Sequence, residues 1–180
     1  MSHRSISRAL VLIPLLAASA ALPACGSDSS STAAAAAGSG NGGSGGSQSC
    51  SATMYAKYGG PAFLAVRDSI VSKALAAPTA MLGDAFQNFA STSTPAEIDG
   101  FKQNLADFLV MVYGGPNNYQ GASMAVAHTG LGITSDQYDY FIASVVVPAL
   151  SDNGVASDDI TNCFAPPVTD ASFKASIVGK

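Results

Sequence analysis

The sequence predicts an all-α domain behind an exported leader, and three observations carry that prediction. From Cys50 onward, apolar residues recur at three- and four-residue spacing rather than in alternation. The segments marked in this way open at Ser, Thr or Pro and close at Gly or Pro. No apolar run has a partner run with which it would form a sheet, so helices packed on helices are the remaining architecture.

The elements follow in order. Ala62, Val66, Ser69 or Ile70, and Lys73 or Ala74 keep the helical period, which predicts a helix over about Pro61 to Ala77, with Pro61 in its first turn and Pro78 beyond its end. In "STSTPAEIDGFKQNLADFLVMVYGG" several N-cap candidates precede Pro95 and Glu97. Ile98, Phe101, Leu105, Phe108, Leu109 and Val112 then form one apolar face, and Gly114-Gly115-Pro116 stops the helix. A short helix is expected from near Gly121 to Gly130, carrying Met124, Ala127 and His128. The next is capped by Thr134 or Ser135 and ends at Asn153-Gly154. Its "VVV" reads locally as strand, but with no partner the expectation is a helix kinked at Pro148. A last helix opens at Ser157, Asp158 and Asp159, where acids suit the positive end of the dipole, and "APP" at 165–167 is expected to break it.

Ahead of this domain, Arg4 and Arg8 precede an apolar run interrupted by Pro14, which is the pattern of a secretory leader rather than a membrane span. Leu22, Pro23, Ala24 and Cys25 resemble the lipobox of bacterial lipoproteins, with Pro23 an unusual occupant. Lipidation of Cys25 is the expectation, and cleavage by ordinary signal peptidase nearby is the alternative. A lipid would anchor the chain to the cell membrane or outer membrane, whereas simple cleavage would release it. Residues 26–49, rich in Gly, Ser and Ala, form a flexible leash with a reach on the order of 25 Å. Residues 50–180 suffice for one core and not two.

The 8 basic residues lose Arg4 and Arg8 with the leader and the 12 acids lose none, so the formal charge moves from −4 to −6. Nucleic acid is therefore excluded as a natural partner. With Cys25 lipidated, Cys50 and Cys163 remain, and in an oxidising compartment an even pair points to a disulfide, two free thiols being the alternative. No Cys/His spacing suits zinc.

Three blocks carry a resemblance: "YAKYGG" (Tyr55 to Gly60), "YGGP" (Tyr113 to Pro116) and "YQGASMAVAHTGLGIT" (Tyr119 to Thr134). Together, over about Met54 to Asp170, they resemble the group I truncated haemoglobins. The third block is the most specific, through Tyr119, Gly121, Met124, His128, Gly130, Gly132 and Ile133. The resemblance implies a two-over-two helical sandwich around haem b, with His128 as the proximal iron ligand. An imidazole nitrogen suits that role, and its other ring nitrogen then needs an acceptor, expected in a carbonyl of the same short helix. Phe86 or Phe89, Phe101, Leu105, Phe108, Met124, Ile133, Phe141 and Val145 are expected either to line the haem crevice or to be core.

On the opposite side the pattern breaks. Where relatives place a tyrosine, alignment on Gly59-Gly60 gives Ser72, or Val71 with a one-residue gap. Counting back from Gly114 puts Phe101, Asn104 and Leu105 at the distal positions, where a glutamine or histidine would be expected. An amide is a poor iron ligand, so Asn104 does not make the iron six-coordinate. Gln87 or Asn88, in a stretch longer than is usual for the family, is a candidate to turn inward. The resemblance implies binding of oxygen, nitric oxide and carbon monoxide, with nitric oxide dioxygenase-type activity if an external electron donor re-reduces the iron. A gas-responsive binding module, or a globin scaffold that has lost haem, is the alternative.

Overall fold

A computed structural model of the protein describes residues 50–180. The expected leader, Cys25 and leash fall within 1–49, outside the described residues. Those residues contain helices and no strand, and no helix among them is long and apolar enough to cross a membrane.

The first helix, α1, runs Cys50–Ala76 and is broken only at Gly59, whose φ of 75° and ψ of 163° lie where a side chain would be strained. It starts earlier than the periodicity from Pro61 suggests. The first two sequence blocks meet around Tyr55 in this early part. Its N–H donates to Tyr113 O at 2.9 Å, and its ring lies so close to Gly115 that an added Cβ would come within 2.8 Å. The glycines are thus needed for a turn at one block and for close contact at the other.

Beyond the break, Phe63, Val66, Ile70 and Ala74 present one buried stripe, the spacing expected of a core-facing helix. Two short elements that the periodicity does not mark follow, α2 (Thr79–Leu82) and α3 (Ala85–Thr92). Then α4 (Pro95–Val112) begins with a capping box in which Thr94 and Glu97 satisfy each other's backbone N–H groups, selecting one cap among the candidates. It packs along α1. Only four residues, Met124–Ala127, form the next helix, α5. The helix expected over 121–130 is shorter because the Ser123 side chain caps it from inside that range and Gly130 turns at φ 82°.

At Pro148 the helix continues, as the expectation of one helix over this stretch requires, whereas the break expected at "APP" is corrected. The helix α6 (Ser135–Tyr140), capped by Thr134 and Gln137, runs through a π-helical stretch, Phe141–Val146, into α7 (Val147–Asp152) as one rod over 135–152. Similarly α8 (Ser157–Asp159) continues through a π stretch, Ile160–Phe164, into α9 (Ala165–Thr169), so "APP" does not end the rod. A proline in a helix loses a hydrogen bond and collides with the carbonyl four residues back. Each π stretch bonds i to i+5 instead, with Val147 N–H to Ile142 O and Ala165 N–H to Ile160 O. The widened turn comes immediately before Pro148 and Pro166, where the ring needs the room. The short α10, Ala171–Ala175, is capped by the Asp170 carboxylate, which the Ser172 hydroxyl, followed by the backbone N–H groups of Phe173 and Ser172, holds below the usual carboxylate range.

Cys50 and Cys163 form a disulfide across 113 residues of sequence. It pins the start of α1 to the buried π stretch at 160–164, and the Tyr58 hydroxyl reinforces the junction by donating to Asp159 and accepting from Ala156 N–H. A loop of that length is worth up to about 5 kcal/mol in unfolded-state entropy, and native bridges typically contribute about 2–4 kcal/mol. Reduction, or paired Cys→Ser substitution, is expected to lower the melting temperature by about 10 °C for a domain of this size. Calorimetry with and without a reductant checks this; an unchanged melting temperature would show that the bridge does not stabilise the domain.

Candidate functional site

Between α1, α3, α4, α5 and the rod 135–152 lies a cavity of about 640 Å³, within the range of pockets that enclose sizeable organic ligands. Its wall is mainly aromatic and aliphatic, and the described lining residues include no Asp, Glu, Lys or Arg. Phe86, Phe89, Phe101, Leu105, Phe108, Met124, Ile133 and Phe141 all line it. The choice between Phe86 and Phe89 dissolves, because both face inward: Phe86 stacks on Phe141 at 5.9 Å, and Phe89 meets Phe101 at 5.2 Å. Val145 is different. At 1% exposure it belongs to the solid core, with no share in the wall.

His128 closes α5 as its C-cap residue and lines the cavity. Its Nδ1 lies 2.7 Å from Met124 O, one helical turn back. A carbonyl only accepts, so Nδ1 carries the proton and donates, and in the neutral ring Nε2 is then a lone pair, for which the described residues provide no hydrogen-bond partner. The rest of the third sequence block supports this placement. Tyr119 donates its hydroxyl to Ala122 O at 2.6 Å, and a Cβ on Gly121 would fall 2.4 Å from that phenol oxygen. Phe108 holds the Tyr119 ring edge-on at 5.6 Å and stacks on Phe173 at 6.0 Å.

The other tyrosines on the wall are also committed. Tyr113 donates to Phe164 O at 2.7 Å, and Tyr138 donates to Val168 O. Burial pushes the Tyr138 phenol up to about 12 and that of Tyr113 further in the same direction, so both remain neutral donors. They brace the wall and leave no phenol directed at a ligand.

On the wall formed by α1 and α4, the structure separates the two alignments. Val71 is buried and faces the cavity. Ser72 is exposed and lines a smaller groove of about 280 Å³ outside it, which shares Val71, Phe86, Phe89 and Phe101 with the cavity wall. Ser72 is therefore corrected from the cavity, because one residue along a helix turns a side chain by about 100°. Phe101, Leu105 and Asn104 remain on the wall, with Asn104 at an exposed position. Neither Gln87 nor Asn88 turns inward. Gln87 spends its amide on Leu75 O and Ala77 O, at 3.3 and 3.1 Å, tying α3 to the end of α1, and Asn88 is exposed. Nothing in the local pattern marks that tie, since it depends on where two helix ends meet.

An all-helical domain that walls an apolar cavity and holds one imidazole with a free nitrogen inside it is the architecture of the globins. The family model for Bacterial-like globin matches residues 53–173, and the chain belongs to that family. It is 43% identical over 54 residues to the Group 1 truncated hemoglobin of Tetrahymena thermophila, covering 30% of this chain and 43% of that protein. It is 33% identical over 66 residues to the Group 1 truncated hemoglobin of Tetrahymena pyriformis, covering 37% and 53%. The chain thus spans about half the length of the curated relatives it matches. A crystal structure of truncated hemoglobin from Tetrahymena pyriformis, a point mutant in its Fe(III) form, superposes with a TM-score of 0.58 at 27% identity, over 71% of this chain and 99% of that one. The fold is that of a truncated globin.

The residues present fit a haem. The wall supplies apolar surface for a flat macrocycle, and the imidazole that His128 brings to it is of the type that ligates iron.

Proposed function

We propose that the domain binds haem b in the cavity with His128 Nε2 as its iron ligand, and that it takes up diatomic gases at the bacterial envelope, held there by a lipid on Cys25. The observation that carries the haem reading is the 2.7 Å bond from His128 Nδ1 to Met124 O. That bond fixes the tautomer, orients the ring and raises the basicity of Nε2, as a partner of this kind does for a metal-ligating histidine.

When bound, haem would supply an iron able to take up oxygen, nitric oxide or carbon monoxide. The chain's own contribution is to hold and shield that iron. Phe86, Phe141, Phe89 and Phe101 exclude water from one side, and Phe108, Met124 and Ile133 pack the cavity further. Val71, Phe101 and Leu105 present no hydrogen-bond donor, which favours nitric oxide and carbon monoxide over oxygen. Conversion of nitric oxide to nitrate needs an electron donor from outside the described domain, so nitrate formation is to be measured with a reductant supplied.

The test of the haem reading is a spectrum. Protein purified with added haemin is expected to show a Soret band and a carbon monoxide difference spectrum, and acid extraction into organic solvent is expected to release free haem b. Protein that emerges colourless would leave the scaffold reading standing. For the anchor, metabolic labelling with a fatty acid is expected to mark the full chain and not Cys25→Ser; label on both would refute lipidation at that residue.

A further inference from the structure

The cavity wall reaches solvent at Asn104, Ala122, Ala127 and Leu131, the lining residues in exposed positions. Leu131 is 50% exposed, and Val126 beside it is 66% exposed without lining the cavity. The mouth is therefore a rim of aliphatic groups with a single neutral amide. A haem places its two carboxylates at such a mouth, because a carboxylate driven into an apolar interior costs several kcal/mol or more.

Among the described residues no lysine or arginine lines the cavity. Lys57, Arg67, Lys73, Lys102 and Lys174 are each paired with an aspartate. Lys102 is nearest the mouth in sequence, but two residues on a helix set it about 200° round from Asn104. It faces Asp68 of α1 instead, at 3.5 Å. Of the described cations only Lys180 has no acidic side-chain partner, and its backbone carbonyl accepts from Gly132 N–H at 2.9 Å, beside Leu131. It is exposed and not part of the wall.

We propose that this cavity holds its tetrapyrrole without a cationic clamp on the carboxylate edge, and so accepts haem whether those carboxylates are free or esterified. The inference rests on the haem reading above. Its physical basis is that an exposed carboxylate stays hydrated and gains only ~0–1 kcal/mol from a surface cation. Retention is then left to apolar contact along the wall and to His128, neither of which responds to ionic strength.

The experiment measures the rate of haem transfer from the loaded protein to a scavenger apoglobin, at about 20 mM and about 500 mM salt. For the wild type the two rates are expected to agree within about twofold, as are those of Lys180→Ala. Haem dimethyl ester is expected to leave no more than about threefold faster than haem. Asn104→Lys, which adds a cation at the mouth, is expected to slow haem loss by about threefold at low salt and to lose that advantage at high salt. Wild-type loss that accelerates by about fivefold or more with salt, on the order of one exposed ion pair, overturns the proposal, as does a marked loss of retention in Lys180→Ala or an Asn104→Lys variant that behaves as wild type. These outcomes all require a Soret band at the start; its absence refutes the haem reading and the inference with it, whereas salt-sensitive loss from a coloured protein refutes the inference alone.

Discussion

His128→Gly yields a folded protein that no longer retains haem, and imidazole added to the medium restores the Soret band. The expected fall in haem retention exceeds about 100-fold, because an outer partner of a ligating histidine is alone worth about 10–100-fold and here the ligand itself is removed. The fold is expected to survive. His128 is the half-buried C-cap of a four-residue helix and is not a member of the buried core cluster that includes Phe63, Val66, Ile70, Val145, Ala149 and Phe164. Free imidazole can occupy the space the side chain leaves, with its own N–H directed at the vacated Met124 carbonyl. A variant that keeps its haem without imidazole would show that some other group ligates the iron. No second imidazole exists in the described domain to take over.

Much of the site was legible in the sequence because the chemistry there is local. Tyr119, Gly121, Met124 and His128 lie within ten residues, and the bond that orients the imidazole spans a single helical turn. The caps were legible in part for the same reason: Glu97 and the choice of Thr134 or Ser135 lie within one turn of the helix starts, and the structure selects Thr94 with Glu97 and Thr134 with Gln137. What was not legible depends on distant segments. Pro148 reads locally as a kink and Pro166 as a breaker, yet a π turn just ahead of each lets the helix continue where α1 packs against it. Gln87 looks available until the carbonyls at the end of α1 come within reach. The choice between Val71 and Ser72 turns on a single residue of helical phase, which an alignment tolerant of one gap does not determine and the buried stripe of α1 does. Phe86 and Phe89 each looked like the ring that faces the ligand because the stretch between Pro78 and Pro95 is longer than the resemblance leads one to expect, leaving its register open; in the fold each finds a different aromatic partner.

Leu105→Gln is expected to slow oxygen dissociation from the ferrous, haem-loaded protein by about 10- to 100-fold. Bound oxygen draws negative charge onto its outer atom, and a well-placed N–H donor to a charged acceptor is worth about 1.5–3 kcal/mol. The three distal positions offer none: Val71, Phe101 and Leu105 are hydrocarbon, and the nearby phenols of Tyr113 and Tyr138 are bonded to backbone carbonyls. Leu105 is the better position to change, since it is half-buried and of similar volume to glutamine, whereas Val71→Tyr would force a large ring into a buried site. An amide in the apolar wall costs the apoprotein about 1–3 kcal/mol in stability when it finds no partner, a cost that the gas ligand removes. Two controls make the result specific. Carbon monoxide dissociation is expected to change by less than about threefold, because that ligand carries little charge for a donor to meet. Asn104→Ala is expected to leave oxygen release unaltered, because the Asn104 amide sits at the solvent-facing mouth. If Asn104→Ala instead speeds oxygen release severalfold, that amide is already the donor, and the wall is not the donor-free surface that would favour nitric oxide and carbon monoxide.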